Sequence, residues 1–68
     1  MKNIEINILN EKLETVKTID GSNSYLSAER FARNEAQWRG TPVEVAWYDD
    51  AGNRYSRLYE SRLYVYRA

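Results

Sequence analysis

The patterning of this chain predicts an α+β fold: a single helix packed across one face of an antiparallel sheet of about five strands, in the order ββαβββ. Three observations carry that expectation. Leu26 to Pro42 reads as one helix with a start and a stop signal. The segments on either side alternate apolar and polar residues with a period of two. Tight-turn residues separate the last three of those segments.

In chain order, Lys2 to Leu9 is the clearest strand. Ile4, Ile6 and Ile8 point one way, and Asn3, Glu5 and Asn7 point the other. Asn10-Glu11 is a weak turn. Lys12 to Ile19 reads as a second strand through Thr15, Val16, Thr18 and Ile19. Its alternation is imperfect, because Leu13 and Val16 share a face only with a bulge between them. A short helix through Leu9, Leu13 and Val16 is the competing reading. Asp20 to Ser24 is a loop by composition.

The helix is expected over Ala28 to Arg39. Ser27 suits the N-cap, because its hydroxyl can accept from a free first-turn amide. Leu26 and Phe31 have the spacing of a hydrophobic staple. Glu29 and Arg39 complement the helix dipole, Gly40 suits the left-handed position beyond the last turn, and Pro42 forbids continuation. At about 100° per residue, Ala28, Phe31, Ala32 and Trp38 share one side. Arg30, Arg33, Asn34 and Gln37 share the other. Glu35 falls near the apolar side; it reads as a structural partner for Arg39 four residues on, or for Arg54 or a tyrosine hydroxyl of the sheet, more than as a carboxyl with a raised pKa.

Beyond the helix, Val43, Val45 and Trp47 alternate with Glu44, Ala46 and Tyr48. Asp49 to Gly52 is a hairpin turn with Gly52 at positive φ. Arg54 to Tyr59 is the next strand, and Glu60-Ser61 connects it to a last strand, Arg62 to Tyr66. A four-residue loop at Asp49–Gly52 sets Val45 opposite Ser56 and Val43 opposite Leu58, all facing the helix. Tyr48, Tyr55, Arg57, Tyr59, Arg62, Tyr64 and Tyr66 then share the open face, so five of the chain's six tyrosines lie there with two arginines. A three-residue loop, Asp50-Ala51-Gly52, pairs Trp47 with Tyr55 instead and turns Tyr55 and Arg57 toward the helix. The four-residue loop is preferred because it keeps Arg57 out of the core.

Composition narrows the function. The 68 residues make one domain, and a chain this short buries only about 60% of its unfolded surface. Without cysteine no disulfide braces it, which fits a reducing compartment. No apolar run reaches membrane-spanning length and no signal-peptide pattern opens the chain. A cytoplasmic protein without membrane contact is the expectation. The formal charge is zero, which argues against strong non-specific nucleic-acid binding, yet all seven arginines lie from Arg30 onward. With no His, no Cys, no phosphate-cradling glycine loop and no metal-ligand spacing, neither enzyme chemistry nor a cofactor is expected.

Tyr and Arg are the residues that interface hot spots favour, so a partner-binding face is read from Tyr55, Arg57, Tyr59, Arg62, Tyr64 and Tyr66. Arg30, Arg33 and Gln37 add a polar stripe on the helix. The plainer alternatives are cross-strand tyrosine pairs that only stabilise the sheet and a helix face that is only solvated. Tyrosines flanked by arginine on a sheet can also stack single-stranded bases. A monomer is expected, or a weak homodimer through the same face or an exposed edge strand.

One stretch carries a family resemblance. Ala28 to Thr41, followed by Val43-Glu44-Val45 and later by Ala51-Gly52-Asn53, resembles small phage-encoded anti-CRISPR proteins of the type I-F system. The match rests on Ala28, Arg30, Ala32, Glu35, Gly40, Thr41, the aromatic Trp38 and the Ala51-Gly52-Asn53 turn, about a third of the chain. The resemblance implies an inhibitor that binds a CRISPR surveillance complex in a bacterial host cell. It would block target-DNA binding or nuclease recruitment without turnover. Of the helix residues with which such proteins hold the complex, only Arg30 matches; the positions around Asn34 and Ala36 depart.

Overall fold

The computed structural model describes residues 2–21 and 24–60. Strands β1 (Lys2–Leu9) and β2 (Thr15–Asp20) precede helix α1 (Tyr25–Arg39), and β3 (Val43–Tyr48) and β4 (Arg54–Tyr59) follow it. The strands form one antiparallel sheet in the order β2-β1-β3-β4. The α+β class and the single helix on a sheet are as expected. The described sheet has four strands where about five were expected, and Arg62–Tyr66, read as the fifth, lies outside the described residues.

The core is thin. Ile4, Ile6 and Ile8 of β1 meet Val43 and Val45 of β3 beneath Ala28, Ala32 and Ala36 of the helix, with Tyr59 at one side. The three alanines recur every four residues and make one narrow ridge. Their small side chains let the helix lie close to the sheet. That closeness displaces the large residues, and here the structure corrects the sequence. Phe31 and Trp38, expected inward, stand 40% and 82% exposed on one flank. Ala36 takes the inward place instead.

The helix also begins earlier than expected. The N-cap is Ser24, whose Oγ accepts from the Ser27 amide at 3.3 Å, so Ser27 is not the cap and Leu26 with Phe31 is not the staple. Gly40 closes the helix as expected: its φ is 70° and its amide donates to the Ala36 carbonyl at 2.9 Å. Glu35 pairs with Arg39 at 3.6 Å, the structural role given to it.

Lys12–Ile19 forms a strand and no helix, shortened to begin at Thr15 because Asn10–Glu14 is a turn. β1 and β2 slip register between Ile8–Lys17 and Leu9–Thr15, leaving Val16 as the extra residue of a bulge, while Leu13, which the sequence reading set on the same strand with a bulge between it and Val16, lies in the turn. Gly21, just past β2, has no room for a side chain. A Cβ there would lie 2.6 Å from Cγ2 of Ile4, and the Gly21 amide donates to the Ile4 carbonyl at 2.8 Å.

The largest correction concerns β3 and β4. Val45 lies opposite Arg57 and Trp47 opposite Tyr55, the register of the three-residue loop that the sequence reading rejected. Ser56 and Leu58, expected under the helix, lie on the open face. Tyr55, Arg57 and Tyr59, expected on the open face, lie on the helix side. The physical reason is the turn. Asp49 Oδ1 accepts from the amides of Ala51 and Asn53, both at 2.9 Å, which closes the loop at Asp50–Gly52. The argument from Arg57 fails because β4 is the outermost described strand. The helix lies over β1 and β3, so Arg57 stays exposed at the rim.

Candidate functional site

Two surfaces result, and they differ in chemistry. The open face of the sheet carries a polar network. Asn7, nearly fully buried, donates from Nδ2 to Glu44 Oε1 at 2.8 Å and accepts from the Thr18 hydroxyl at 2.8 Å. Arg54 donates to the same Glu44 oxygen at 3.0 Å and lies 3.7 Å from Glu5. Burial pushes the Glu44 carboxyl up, but the hydrogen bonds from Asn7 and Arg54 outweigh it and hold the pKa below the usual carboxylate range. Each polar group in this network serves another, so it reads as sheet stabilisation. Of the tyrosines expected on this face, Tyr48 is the one that the described residues place there, across from Arg54.

The helix side of β3 and β4 is different. Trp47 lies between two tyrosines. Its ring meets the edge of Tyr25 at 4.9 Å and 74°, and stacks with Tyr55 at 6.1 Å and 18°. Asp49 Oδ2 accepts from the Tyr55 hydroxyl at 3.0 Å and fixes the outer ring of this row. The Tyr25 and Tyr59 hydroxyls share a hydrogen bond of 2.7 Å. The Arg33 guanidinium lies over the Tyr59 ring at 5.1 Å.

Each part has a local cause. The Ser24 cap starts the helix at Tyr25 and so places that ring at the helix's first turn, beside Trp47. Alternation along β3 puts Trp47 on the same side as Val43 and Val45. The Asp49 turn sets the register that brings Tyr55 beside Trp47 and Arg57 beside Val45. Glu29 and Arg33 form a pair across one helical turn at 3.7 Å, which holds Arg33 toward β4.

Burial, with the Tyr25 hydroxyl next, raises the Tyr59 pKa to about 12, so this phenol stays protonated and donates or accepts without ionising. Tyr55 is likewise raised, by its bond to the Asp49 carboxylate. Among the described residues no group of three His, Cys, Asp or Glu side chains is placed to hold a metal ion.

The sequence-predicted site residues divide accordingly. Tyr55 and Arg57 are exposed and adjacent to the ring row. Tyr59 is buried and acts as its support, so it offers no open surface. Arg30, Arg33 and Gln37 are exposed on the helix, with Arg33 reaching the tyrosine cluster. Arg62, Tyr64 and Tyr66 lie outside the described residues. Tyr25 and Trp47 were missed. The signal for Tyr25 was Ser24 as an earlier cap; the signal for Trp47 was its phase with Val43 and Val45.

The residues of the family resemblance also separate by role. Ala28 and Ala32 belong to the core ridge, Gly40 is the helix stop, Gly52 supplies the left-handed turn position and Glu35 pairs within the helix. Arg30 and Trp38 are exposed on the helix, and Ala51 and Asn53 are exposed in the turn. Comparison with known protein families, with curated proteins and with solved structures gives no match.

Proposed function

We propose that the chain is a non-catalytic binding protein that acts by occupying a macromolecular surface through the Tyr25–Trp47–Tyr55 row and the arginines beside it. One observation carries this reading. Trp47 contacts both Tyr25 and Tyr55, the outermost ring, Tyr55, is 47% exposed, Arg57 follows it on the same side of β4, and Arg33 lies over the neighbouring Tyr59 ring. Tyr and Trp give large contact area at low entropic loss, and Arg forks onto carboxylate or phosphate. The Tyr55–Asp49 and Tyr25–Tyr59 hydrogen bonds hold the two outer rings before any partner arrives, which lowers the ordering penalty of association.

The partner class comes from the resemblance of Ala28–Thr41 to type I-F anti-CRISPR proteins. On that reading the partner is a subunit of a CRISPR surveillance complex, with Arg30, Arg33 and Gln37 adding polar contacts from the helix. Occupancy of that subunit prevents target-DNA binding or nuclease recruitment. The test is a pull-down against purified surveillance complex combined with a phage-plaquing interference assay. The Tyr55→Ala, Arg57→Ala double variant should keep its circular dichroism spectrum and lose at least about tenfold in affinity, the scale of a hot-spot pair. Undiminished inhibition by that variant would remove the row from the interface.

A second reading rests on the stacked geometry of Trp47 and Tyr55. An exposed ring over a second ring beside an arginine suits an unpaired base. Titration with labelled single-stranded DNA and RNA at two salt concentrations separates the two. Salt-sensitive binding without any protein partner favours the second.

A further inference from the structure

The alanine ridge uses one side of α1, and a second line of residues runs along another. Ser27, Phe31, Asn34 and Trp38 are spaced four, three and four residues apart, so they fall on one stripe of the helix, and all four are exposed. Trp38, at 82%, is the most exposed large apolar side chain among the described residues. That spacing is the seam of a coiled coil, with Phe31 and Trp38 at a and Ser27 and Asn34 at d. Arg30 and Gln37 then take the g positions on one border of the seam, and Glu35 takes e on the other.

We infer that α1 pairs with α1 of a second copy of the chain, parallel and in register, in a two-fold dimer. Charge selects the direction. In a parallel pair each g residue faces the partner's e residue five positions on, so Arg30 meets the partner's Glu35 on both borders of the seam. An antiparallel pair centred on Asn34 would instead set Glu35 beside the partner's Glu35 and Arg30 on the same border as the partner's Arg30. Asn34 selects the register. In the parallel pair its amide meets the same amide of the other copy, donor to acceptor, between two aromatic levels. A slip of one turn would press it against Phe31 or Trp38 with no partner for its polar atoms.

The sheet leaves room for this. The seam lies about 130° around the helix from the alanine ridge, at about 100° per residue, so it points away from the strands. A second helix can then approach to the usual separation of about 8–10 Å. Two heptads cover less than the roughly 800 Å² per partner of a standard interface, which makes the dimer weak and dependent on concentration. The ring row and Arg33 lie toward β4, across the helix from the seam, and stay free in both copies. The dimer therefore stands independently of the binding reading above, although contacts to a partner through Arg30 or Gln37 would compete with it.

Sedimentation equilibrium from low-micromolar to millimolar concentration tests this, together with crosslinking of single-cysteine variants in a chain that has no cysteine of its own. The expected result is a species of twice the 8.0 kDa chain mass at high concentration. Trp38→Glu changes a side chain outside the core and should weaken the dimer at least about tenfold, with the circular dichroism spectrum unchanged. Arg30→Glu and Glu35→Arg should each weaken it severalfold, and the double variant should recover it. In oxidised glutathione, Ser27→Cys and Asn34→Cys should each crosslink to their own copy, and Arg33→Cys should not. In an antiparallel pair centred on Asn34 the two Ser27 positions would stand roughly 20 Å apart, beyond the reach of a disulfide. A chain that stays monomeric throughout would overturn the proposal. Crosslinking at Asn34→Cys without Ser27→Cys would overturn it too, as would a dimer unchanged by Trp38→Glu.

Discussion

The two β-hairpins close with the same device built from different residues. In Asn10–Glu14, Asn10 Oδ1 accepts from the amides of Lys12 and Glu14 at 2.9 and 3.0 Å. In Asp49–Asn53, Asp49 Oδ1 accepts from the amides two and four residues on, both at 2.9 Å. In each, the amide of the fourth residue returns to the carbonyl of the first, and the first amide donates to the fifth carbonyl. In each, the fourth residue is left-handed. There the resemblance ends: that residue is Gly52, with φ of 87°, in one and Leu13, with φ of 64°, in the other. A side-chain oxygen two and four residues upstream is thus sufficient to hold the turn even where the left-handed position carries a γ-branched side chain. The second turn has the better backbone and a charged acceptor; the first has a neutral acceptor and strain.

That comparison can be broken in a graded series. Gly52→Leu places in the second turn what the first tolerates, and should lose about 1–2 kcal/mol, read as a lower urea midpoint at constant slope. Asn10→Ala removes the oxygen that offsets Leu13 and should lose about 1 kcal/mol by the same measurement, with faster exchange at Glu14. Leu13→Gly relieves the left-handed strain but adds backbone freedom to the unfolded chain, leaving a net gain of about 0.5–1 kcal/mol. A loss on Leu13→Gly would mean that the exposed leucine makes a stabilising contact of its own. The smallest effect is electrostatic. Hydrogen bonds from the Asn53 side chain and backbone hold the Asp49 pKa below the ordinary value. Its contribution is therefore complete above about pH 4 and is lost as pH falls through the lower folded value. Asn10 has no proton to gain. Exchange at Asn53 should accelerate below pH 4, beyond the intrinsic pH trend, while exchange at Glu14 follows that trend alone.

The same residues explain what was legible in the sequence. β1, β3, β4, the helix and its Gly40 stop followed from period and punctuation, while the irregularity of the second strand showed in its broken alternation without its place being given. The register of β3 on β4 did not, because the premise used to choose it was that a helix-side arginine must be buried. An outer strand beneath a helix that lies over its neighbours leaves that side open. The helix start was misplaced by three residues because two serines compete as cap, and Ser24 leads Tyr25 onto Trp47. Phe31 and Trp38 were read as core because a helical wheel weighs hydrophobicity and ignores size, while three alanines in register hold the inward line. Of the residues read as a candidate site, Tyr55 and Arg57 lie on the helix side of β4 and Arg33 lies over the Tyr59 ring. The face was wrong, and with it the neighbours that give the site its shape.

The alanine ridge has a thermal consequence. A helix seated on methyl groups removes little hydrocarbon from water, so the heat-capacity increment of unfolding should be no larger than the roughly 0.8–1 kcal/mol/K typical of 68 residues. The stability curve is correspondingly broad and shallow. A modest change in free energy then moves the melting temperature by many degrees, so calorimetry is a sensitive detector of any molecule that binds the folded chain.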